Sequence, residues 1–432
     1  MLLRVTDGTT TVTISVGGAS LGVTYFPDVG AEDEETIGET VTLTLEGNDL
    51  AIREVLGGVE RLLSQAGANL LAPVFVEFRP TDSGDVWRSR LKHGRVRWSE
   101  APGRRRLGGS SNIVEVAVLW ERVNFWEGPE VELSLSSSSM TIRTGGVAVY
   151  NDDNVTEFAN WMQITAAQAL GAMPAPVRLR LMNDANVAVG WKNVYVGNNA
   201  FSDPANLDPF LLGSEAVNGA TASWTGSVTH ATPIFVWALG STLLSKTKGA
   251  MFHPVLALTS VSVSGVYLKL QIGSYIDGVF EAQRSSREIF CQYGEELVDF
   301  GLFPIAPGGY GVVTENAAIT VSARYASGNG TIVADCLHLM ATDGWRHLRQ
   351  VAGYTIDDGD SWEDDGIDGG AYALDGVSGA QSGIVKAYGE PLTIWPGVLQ
   401  RVHVLCDEGV AFVAGRAMVG RMWLRPRYRT VS

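Results

Sequence analysis

Apolar and polar positions alternate with a period of two through most of the readable segments of the chain. Val41, Leu43 and Leu45 fall on one side of a predicted strand, and threonine or glutamate on the other. Because successive side chains of a strand point to opposite faces, this alternation indicates strands with one buried face. Similar short runs, separated by Gly, Asn and Asp, occur at 73–79, 112–120, 177–181, 261–272, 318–325, 331–339 and 402–405. Such spacing is typical of β-sandwiches and barrels.

One segment, residues 50–66, has helical spacing instead. Its apolar positions form a single stripe: Ile52, Val55, Leu56, Val59, Leu62, Leu63 and Ala66. This i, i+3, i+4, i+7 pattern predicts a helix with one buried face, which Asn48 or Asp49 can cap at its start. Gly57 and Gly58 each cost about 1 kcal/mol relative to alanine, so a mid-helix glycine pair indicates close packing against a sheet.

Length and composition bound the class of protein. At 432 residues we expect two to four domains, and the patterns divide at about 1–130, 140–210, 211–348 and 349–432. The chain is too apolar and aromatic to be disordered, and a net charge of −15 with 32 Lys and Arg makes it a poor general nucleic-acid binder.

Three features predict the compartment. Cys291, Cys336 and Cys406 are odd in number and far apart, so we expect reduced thiols rather than a disulfide framework. The residues from Met1 onward lack the apolar core of a secretion signal, and no apolar stretch reaches the length of a membrane span. We therefore expect a protein without a membrane span that is made in a cytoplasm.

Residues 86–106 form a basic block of eight Lys or Arg with one acid, Glu100. A tight turn at His93–Gly94 predicts a β-hairpin with one cationic face, since glycine supplies the positive φ that such a turn requires. The cations of that face are Arg88, Arg90, Lys92, Arg95 and Arg97, and they are followed by Arg104, Arg105 and Arg106.

An acidic block at residues 28–39 has the opposite charge to the basic block, with six acids and no base. Its centre is Glu32, Asp33, Glu34 and Glu35. The two blocks are interpreted in three ways: two solvated patches, a contact with an anion or DNA, or a pairing within or between subunits. A ring would place the acidic block of one subunit against the basic block of the next, a heterologous contact that closes by rotation.

A second acidic run, residues 356–368, carries seven carboxylates and is predicted as a loop. It is either solvated or, through Asp357, Asp358 and Asp360, a Ca²⁺ site, since hard cations prefer oxygen ligands. The spacing does not match an EF-hand, and a role as catalytic carboxylates is the third alternative. No other cofactor is expected.

Aromatic residues supply the candidate carbohydrate contacts. Of twelve tryptophans, Trp224, Trp237 and Trp345, the last beside Asp343, lie in or next to the third segment; each either stacks on sugar rings or packs in a core. No GxxxxGK[ST] or HExxH motif is present, so we predict that the chain is not an enzyme, although a Ser-His-Asp triad needs no local motif.

The order of these features resembles the distal tail proteins, and related minor tail proteins, of long non-contractile-tailed bacteriophages. The resemblance rests on strands, one helix at 50–66, an arginine-rich return, and a strand at 112–120 running into an aromatic exit at 125–129. It continues in residues 170–179, in 194–197 and in 423–428, which looks like the last strand of a second sandwich.

The resemblance implies a tail-tube-like β-sandwich with one helix at 1–130, followed by galectin-like or jelly-roll-like sandwiches. A second sandwich would comprise 131–210 with 349–432, and 211–348 would be an inserted jelly roll. It further implies a structural virion protein: a ring, a hexamer being favoured, between tail tube and hub, carrying sandwiches that contact host glycans, with no sequence-specific nucleic acid. A stand-alone carbohydrate-binding protein and a glycan-cleaving enzyme are the alternatives.

Overall fold

The computed structural model describes residues 1–14, 20–31, 34–47, 49–68, 72–81, 83–97, 105–106, 112–137, 142–143, 146–150, 161–184, 188, 190–191, 193–198, 222–226, 233–238, 251–262, 265–292, 294, 297–304, 317–325, 330–340, 344–350, 355–407 and 417–431. Over this part of the chain the protein is mainly β, built from antiparallel sheets, as predicted. The helix is α1 (Asp49–Ala68), which confirms the helical stripe.

The strands up to residue 132 are β1 (Leu2–Thr6), β2 (Thr11–Thr13), β3 (Ser20–Thr24), β4 (Thr36–Gly47), β5 (Phe75–Arg79), β6 (Trp87–Arg97), β7 (Arg105–Arg106), β8 (Asn112–Val123), β9 (Trp126–Glu127) and β10 (Val131–Glu132). Those up to residue 304 are β11 (Ser136–Ser137), β12 (Ile142–Arg143), β13 (Gly146–Tyr150), β14 (Trp161–Ile164), β15 (Ala175–Asn183), β16 (Asn193–Asn198), β17 (Ala222–Gly226), β18 (Pro233–Ala238), β19 (Met251–Val261), β20 (Val266–Ile276), β21 (Val279–Ser285), β22 (Ile289–Cys291), β23 (Leu297–Asp299) and β24 (Phe303–Pro304). The remainder are β25 (Ala317–Tyr325), β26 (Gly330–Met340), β27 (Trp345–Gln350), β28 (Ser361–Asp365), β29 (Ala371–Leu374), β30 (Gln381–Ser382), β31 (Val385–Glu390), β32 (Thr393–Ile394), β33 (Gln400–Asp407), β34 (Ala417–Leu424) and β35 (Arg427–Tyr428).

The first compact unit comprises Met1–Val131, Leu170–Ala175 and Arg425–Ser432. Its sheet runs in the order β2-β1-β5-β6-β8-β4-β3, and α1 packs against one face. The helix buries Leu56, Val59 and Leu62 against strand residues such as Val41 and Val118. The helical stripe and the period-two strands therefore share one core.

The C-terminal segment, Arg425–Ser432, lies in this first unit, which corrects the prediction that 423–428 is one strand of the second sandwich. β34 ends at Leu424, and β35 pairs with β9 instead. Between them Pro426 has no N–H to donate to a ladder, and its carbonyl accepts a hydrogen bond from the N–H of Gly128 at 2.9 Å. Arg427 then forms an ion pair with Glu127 at 3.1 Å.

The second compact unit comprises Glu132–Ala169 and Pro176–Leu424. One of its sheets has the order β12-β13-β34-β15-β28-β29-β30 and another the order β11-β14-β33-β16-β27-β31. β16 and β27 are neighbours in the latter although the whole segment 222–340 separates them along the chain.

Segment 222–340 forms two five-stranded sheets around its own core, which includes Leu256, Leu268 and Val321. It belongs to the second unit. A smaller cluster connects it to the rest of that unit, because Val255 and Met340 of this segment pack with Tyr195 of β16 and Trp345 of β27.

Candidate functional site

β6 is one continuous strand, so the prediction of a tight turn at His93–Gly94 is wrong. His93 pairs with Glu121 of β8, and Gly94 pairs with Trp120. A Cβ atom on Gly94 would lie 2.8 Å from the carbonyl oxygen of Leu119 and 2.8 Å from Cδ2 of Leu63 in α1. The glycine thus serves the close approach of helix and sheet rather than a turn.

Replacing Gly94 with alanine is expected to destabilise the first unit by about 1–3 kcal/mol, because the added methyl overpacks a backbone contact that cannot move aside. Gly57→Ala is the matched control. A Cβ there meets no atom within 4 Å, and alanine in a helix interior gains about 0.5–1 kcal/mol over glycine. Hydrogen exchange of the α1 amides measures both effects, and equal protection in the two variants would contradict this packing.

A β-bulge gathers the cations of β6 on one face. The register with β8 shifts between Leu91 and His93, which makes Lys92 an extra residue. Leu91 and Val96 are five residues apart and would face opposite sides of a regular strand, yet both are buried. The same shift places Arg90 on the exposed side with Arg95 and Arg97.

Four cations of this strand are exposed: Arg90, Lys92, Arg95 and Arg97. The residues that pair with Arg95 and Arg97 on β8 are Leu119 and Ala117, which carry no charge. We call these four side chains the basic face. Within the described part of the chain no ion pair joins Arg90, Arg95 or Arg97 to an acid, and like charges along one strand face repel.

A cavity of about 400 Å³ opens at one end of the basic face. Its lining includes Gly38, Thr40, Arg95 and the pair His93–Glu121, whose Nε2 and Oε2 atoms are 2.7 Å apart. A hydrogen bond from Thr36 and, secondarily, the contact with His93 lower the pKa of Glu121. The cavity lining therefore combines the guanidinium of Arg95, the carboxylate of Glu121 and the imidazole of His93 with Gly38, which has no side chain.

The other predicted cations have different roles or fall outside the described residues. Arg88 is half-buried; its Nε donates to Glu127 at 2.9 Å, and its guanidinium lies 4.4 Å from the Phe75 ring centroid. Because Glu127 also binds Arg427, Arg88 helps to hold the C-terminal segment. Arg105 and Arg106 form β7, which pairs with β8, and Arg104 lies outside the described residues.

The acidic block is held to the first unit by Asn124, a residue that the sequence patterns did not single out. The side chain of Asn124 accepts a hydrogen bond from the N–H of Gly30 at 3.2 Å and donates to the carbonyls of Ala31 and Glu34 at 2.8 and 3.0 Å. Glu34 and Glu35 are exposed on this fixed backbone. Glu32 and Asp33 lie outside the described residues.

The last acid of that block, Glu39, is buried and belongs to a polar cluster. Its carboxylate accepts hydrogen bonds from Arg122 at 2.6 Å, from the Tyr25 hydroxyl at 2.7 Å and from Trp120 Nε1 at 2.9 Å. Burial and the charge of Glu39 raise the pKa of Tyr25. Glu39 is buried because strand residues alternate between faces, and it lies on the same buried face of β4 as Val41 and Leu43.

The second acidic run is not a continuous loop, because residues 361–365 form β28. Glu363 is buried and accepts from Arg178 at 3.1 Å, from Arg180 at 2.6 Å and from the Tyr372 hydroxyl at 2.5 Å. Burial opposes its ionisation, but these hydrogen bonds prevail and lower its pKa. Asp364 is buried against Arg346 at 2.9 Å. Arginines of the neighbouring strand β15 and of β27 in the other sheet, which the local sequence does not reveal, balance these carboxylates.

The three proposed calcium ligands lie just before β28. Asp357 and Asp358 are exposed, while Asp360 is half-buried and accepts from the N–H of Gly376 at 2.9 Å. Among the described residues no three His, Cys, Asp or Glu side chains are grouped so that they could hold a metal ion.

The candidate carbohydrate contacts are dispersed. Trp237, 5% exposed, packs beside Phe235 in the core of segment 222–340, and Trp345, 4% exposed, lies in the cluster with Tyr195. Both rings are therefore core residues, the alternative that the sequence left open. Trp224 lies in β17 opposite Ile332, and Asp343 falls outside the described residues.

No family model matches the chain, and no curated protein sequence matches it. In the part of the chain that is described, no helix has both the length and the apolar character needed to cross a membrane.

Proposed function

We propose that the chain is a structural virion protein of a phage tail tip, which assembles through its first unit into a homo-oligomeric ring, a hexamer being favoured. In this proposal the ring connects tail tube and hub, and the sandwiches of the second unit contact host glycans. The protein would be made in the host cytoplasm, act without a catalytic step, and reside in the virion tail.

The basic face is the observation that carries the proposal. It is an organised surface, because a bulge and a close-packed glycine bring its cations together, and it is unusual in a chain of net charge −15. Glu34 and Glu35, exposed on a backbone fixed by Asn124, supply the complementary charge. Two different complementary surfaces on one subunit are what a heterologous contact requires.

Reversing the charge at Arg95 and Arg97 to glutamate is expected to convert the ring to monomers. The reversal sets like charges against Glu34 and Glu35 of the next subunit, a juxtaposition that costs several kcal/mol. Native mass spectrometry of the full chain measures the oligomer distribution at a concentration at which the unaltered protein is a ring.

Two further variants sharpen this test. Arg53→Glu/Lys386→Glu changes the net charge equally at exposed positions on α1 and β31 and should leave the ring intact. Adding Glu34→Lys/Glu35→Lys to the reversed protein should restore assembly. An unaltered chain that stays monomeric at high concentration, or a reversed chain that still assembles, would refute the proposal.

A further inference from the structure

A cavity of about 610 Å³ opens at an edge of the sandwich formed by segment 222–340. One wall is the end of β21 with the turn after it, including Arg284 and Arg287, and the other is the segment Asp299–Pro304. The volume falls within the roughly 300–1,000 Å³ of small-ligand sites. Among the described residues that line it, none is one of the predicted carbohydrate contacts.

The backbone between the two arginines is fixed. The buried Ser286 donates its hydroxyl to the carbonyl of Arg287 at 2.6 Å and accepts from the N–H of Leu270 at 3.0 Å, while its own N–H donates to the Leu270 carbonyl at 2.8 Å. A bulge also shifts β21 opposite Gly273, where any Cβ would clash with the Glu281 carbonyl. Both arginines therefore lie on a constrained stretch of backbone.

These two cations lack a partner acid among the described residues. Arg284 and Arg287 are exposed, and the carboxylate adjacent in sequence, Glu288, binds Arg324 of β25 at 2.6 Å instead. Two uncompensated guanidinium groups beside one cavity favour an anion, since arginine binds carboxylate and phosphate through paired hydrogen bonds.

The opposite wall has the chemistry of a sugar contact. Asp299 Oδ1 accepts from the N–H of Gly301 at 2.8 Å and lies 3.5 Å from His253 Nδ1. Burial opposes ionisation of this carboxyl, but the proximity of His253 and the hydrogen bond from Gly301 prevail and lower its pKa. Leu302, 52% exposed, provides an apolar rim above the buried Phe303. An ionised carboxylate accepts hydrogen bonds from hydroxyls, and the apolar side suits the C–H face of a ring.

We propose that this cavity binds a saccharide that carries an anionic group. Arg284 and Arg287 receive the carboxylate or phosphate, Asp299 accepts hydrogen bonds from ring hydroxyls, and Leu302 packs against the ring. This inference rests on the proposed glycan contact of the second unit, to which it assigns a place and a ligand class, and it is independent of ring assembly.

Matched sugars test the proposal on the full chain. Neutral hexoses, the corresponding hexuronic acids and the hexose 6-phosphates of the gluco, galacto and manno series differ in the substituent on one carbon. Ligand-observed NMR titration should show at least one acid or phosphate binding about tenfold more tightly than its neutral counterpart. The better binder of the two identifies the anion as carboxylate or phosphate.

The double variant Arg284→Gln/Arg287→Gln should lose that preference, while Arg53→Gln/Lys386→Gln, with the same change in net charge, should keep it. Binding of neutral sugars alone, absence of binding to every charged sugar, or an anion preference that survives in the double variant would overturn the inference. Native mass spectrometry of the same samples reports on the ring, so failure of the cavity and failure of assembly are distinguishable.

Discussion

Replacing Glu39 with glutamine is expected to destabilise the first unit by roughly 3–5 kcal/mol, the usual cost of removing one partner from a buried ion pair. Arg122 is fully buried and would keep its charge with the carboxylate gone. Its guanidinium lies 4.6 Å from the Trp126 ring centroid, which attracts a cation but does not neutralise it. Denaturant-dependent hydrogen exchange of peptides from α1 and β8 measures the change for this unit alone.

Two comparisons make the expectation specific. Glu60→Gln removes an exposed carboxylate from α1 and should change stability by no more than about 0.5 kcal/mol. Glu39→Leu/Arg122→Met removes both charges and should recover only part of the loss, because the buried ion pair is replaced by apolar residues while the Tyr25 hydroxyl and Trp120 Nε1 lose their acceptor. If the Glu39→Gln variant were as stable as the unaltered protein, Arg122 would obtain its stabilisation elsewhere.

Acidification from pH 6.5 to pH 4 is expected to destabilise the second unit through two buried histidines. Burial lowers the pKa of His347, stacked 4.6 Å from the ring of Tyr195, to about 4. Burial and, secondarily, the charge of Arg401 lower that of His403 to about 3. The pKa of histidine in an unfolded chain is about 6.5, so in this interval the unfolded state binds protons that the folded state does not bind. Stability then falls by about 1.4 kcal/mol per pH unit for each histidine.

Asp364 acts in the opposite sense over part of that interval. Burial raises its pKa to about 6, against the attraction of Arg346, so below that pH the folded state binds a proton more readily than the unfolded chain. The histidine contribution is therefore read as a difference between variants rather than from one curve.

The measurement is urea unfolding at pH 7, 5.5 and 4, with limited proteolysis and mass spectrometry assigning each transition to its unit. His347→Gln should flatten the pH dependence of the second unit by about 1.4 kcal/mol per pH unit below pH 6.5. His93→Gln, an exposed change in the first unit, should leave it unaltered. Identical slopes in all three proteins would show that the buried imidazoles do not govern acid stability.

Local patterns in the sequence predicted those elements whose stabilisation is itself local or strictly periodic. The stripe from Ile52 to Leu63 predicts α1, and the alternation of Val41, Leu43 and Leu45 predicts β4, because each pattern has one face to bury. The prediction of a turn at His93–Gly94 was wrong for a related reason. A His-Gly pair permits a tight turn, but β8 offers pairing along Leu91–Arg97, and its paired residues lie twenty or more positions further along the chain.

The candidate site was predictable in composition but not in geometry. The sequence identifies Arg95 and Arg97 as part of a basic block, whereas the bulge at Lys92 that aligns them with Arg90 depends on the register with Arg122 and Glu121. The acidic run at 356–368 was interpreted incorrectly because the partners of its carboxylates are distant in sequence. Glu363 looks solvated beside its acidic neighbours, yet Arg178 and Arg180 of β15 lie across the sheet from it.

The position of Arg425–Ser432 in the first unit imposes an order on synthesis. Ribosomes make β9 long before β35, and the whole second unit emerges between them. Until then the edge of β9 has no strand at its β35 side, and Glu127 has Arg88 but not Arg427. A nascent first unit therefore stays unfinished until the whole second unit has been synthesised. A chain that stops short of residue 425 would lack this closing strand, so completion of the unit proposed to assemble coincides with completion of the second unit.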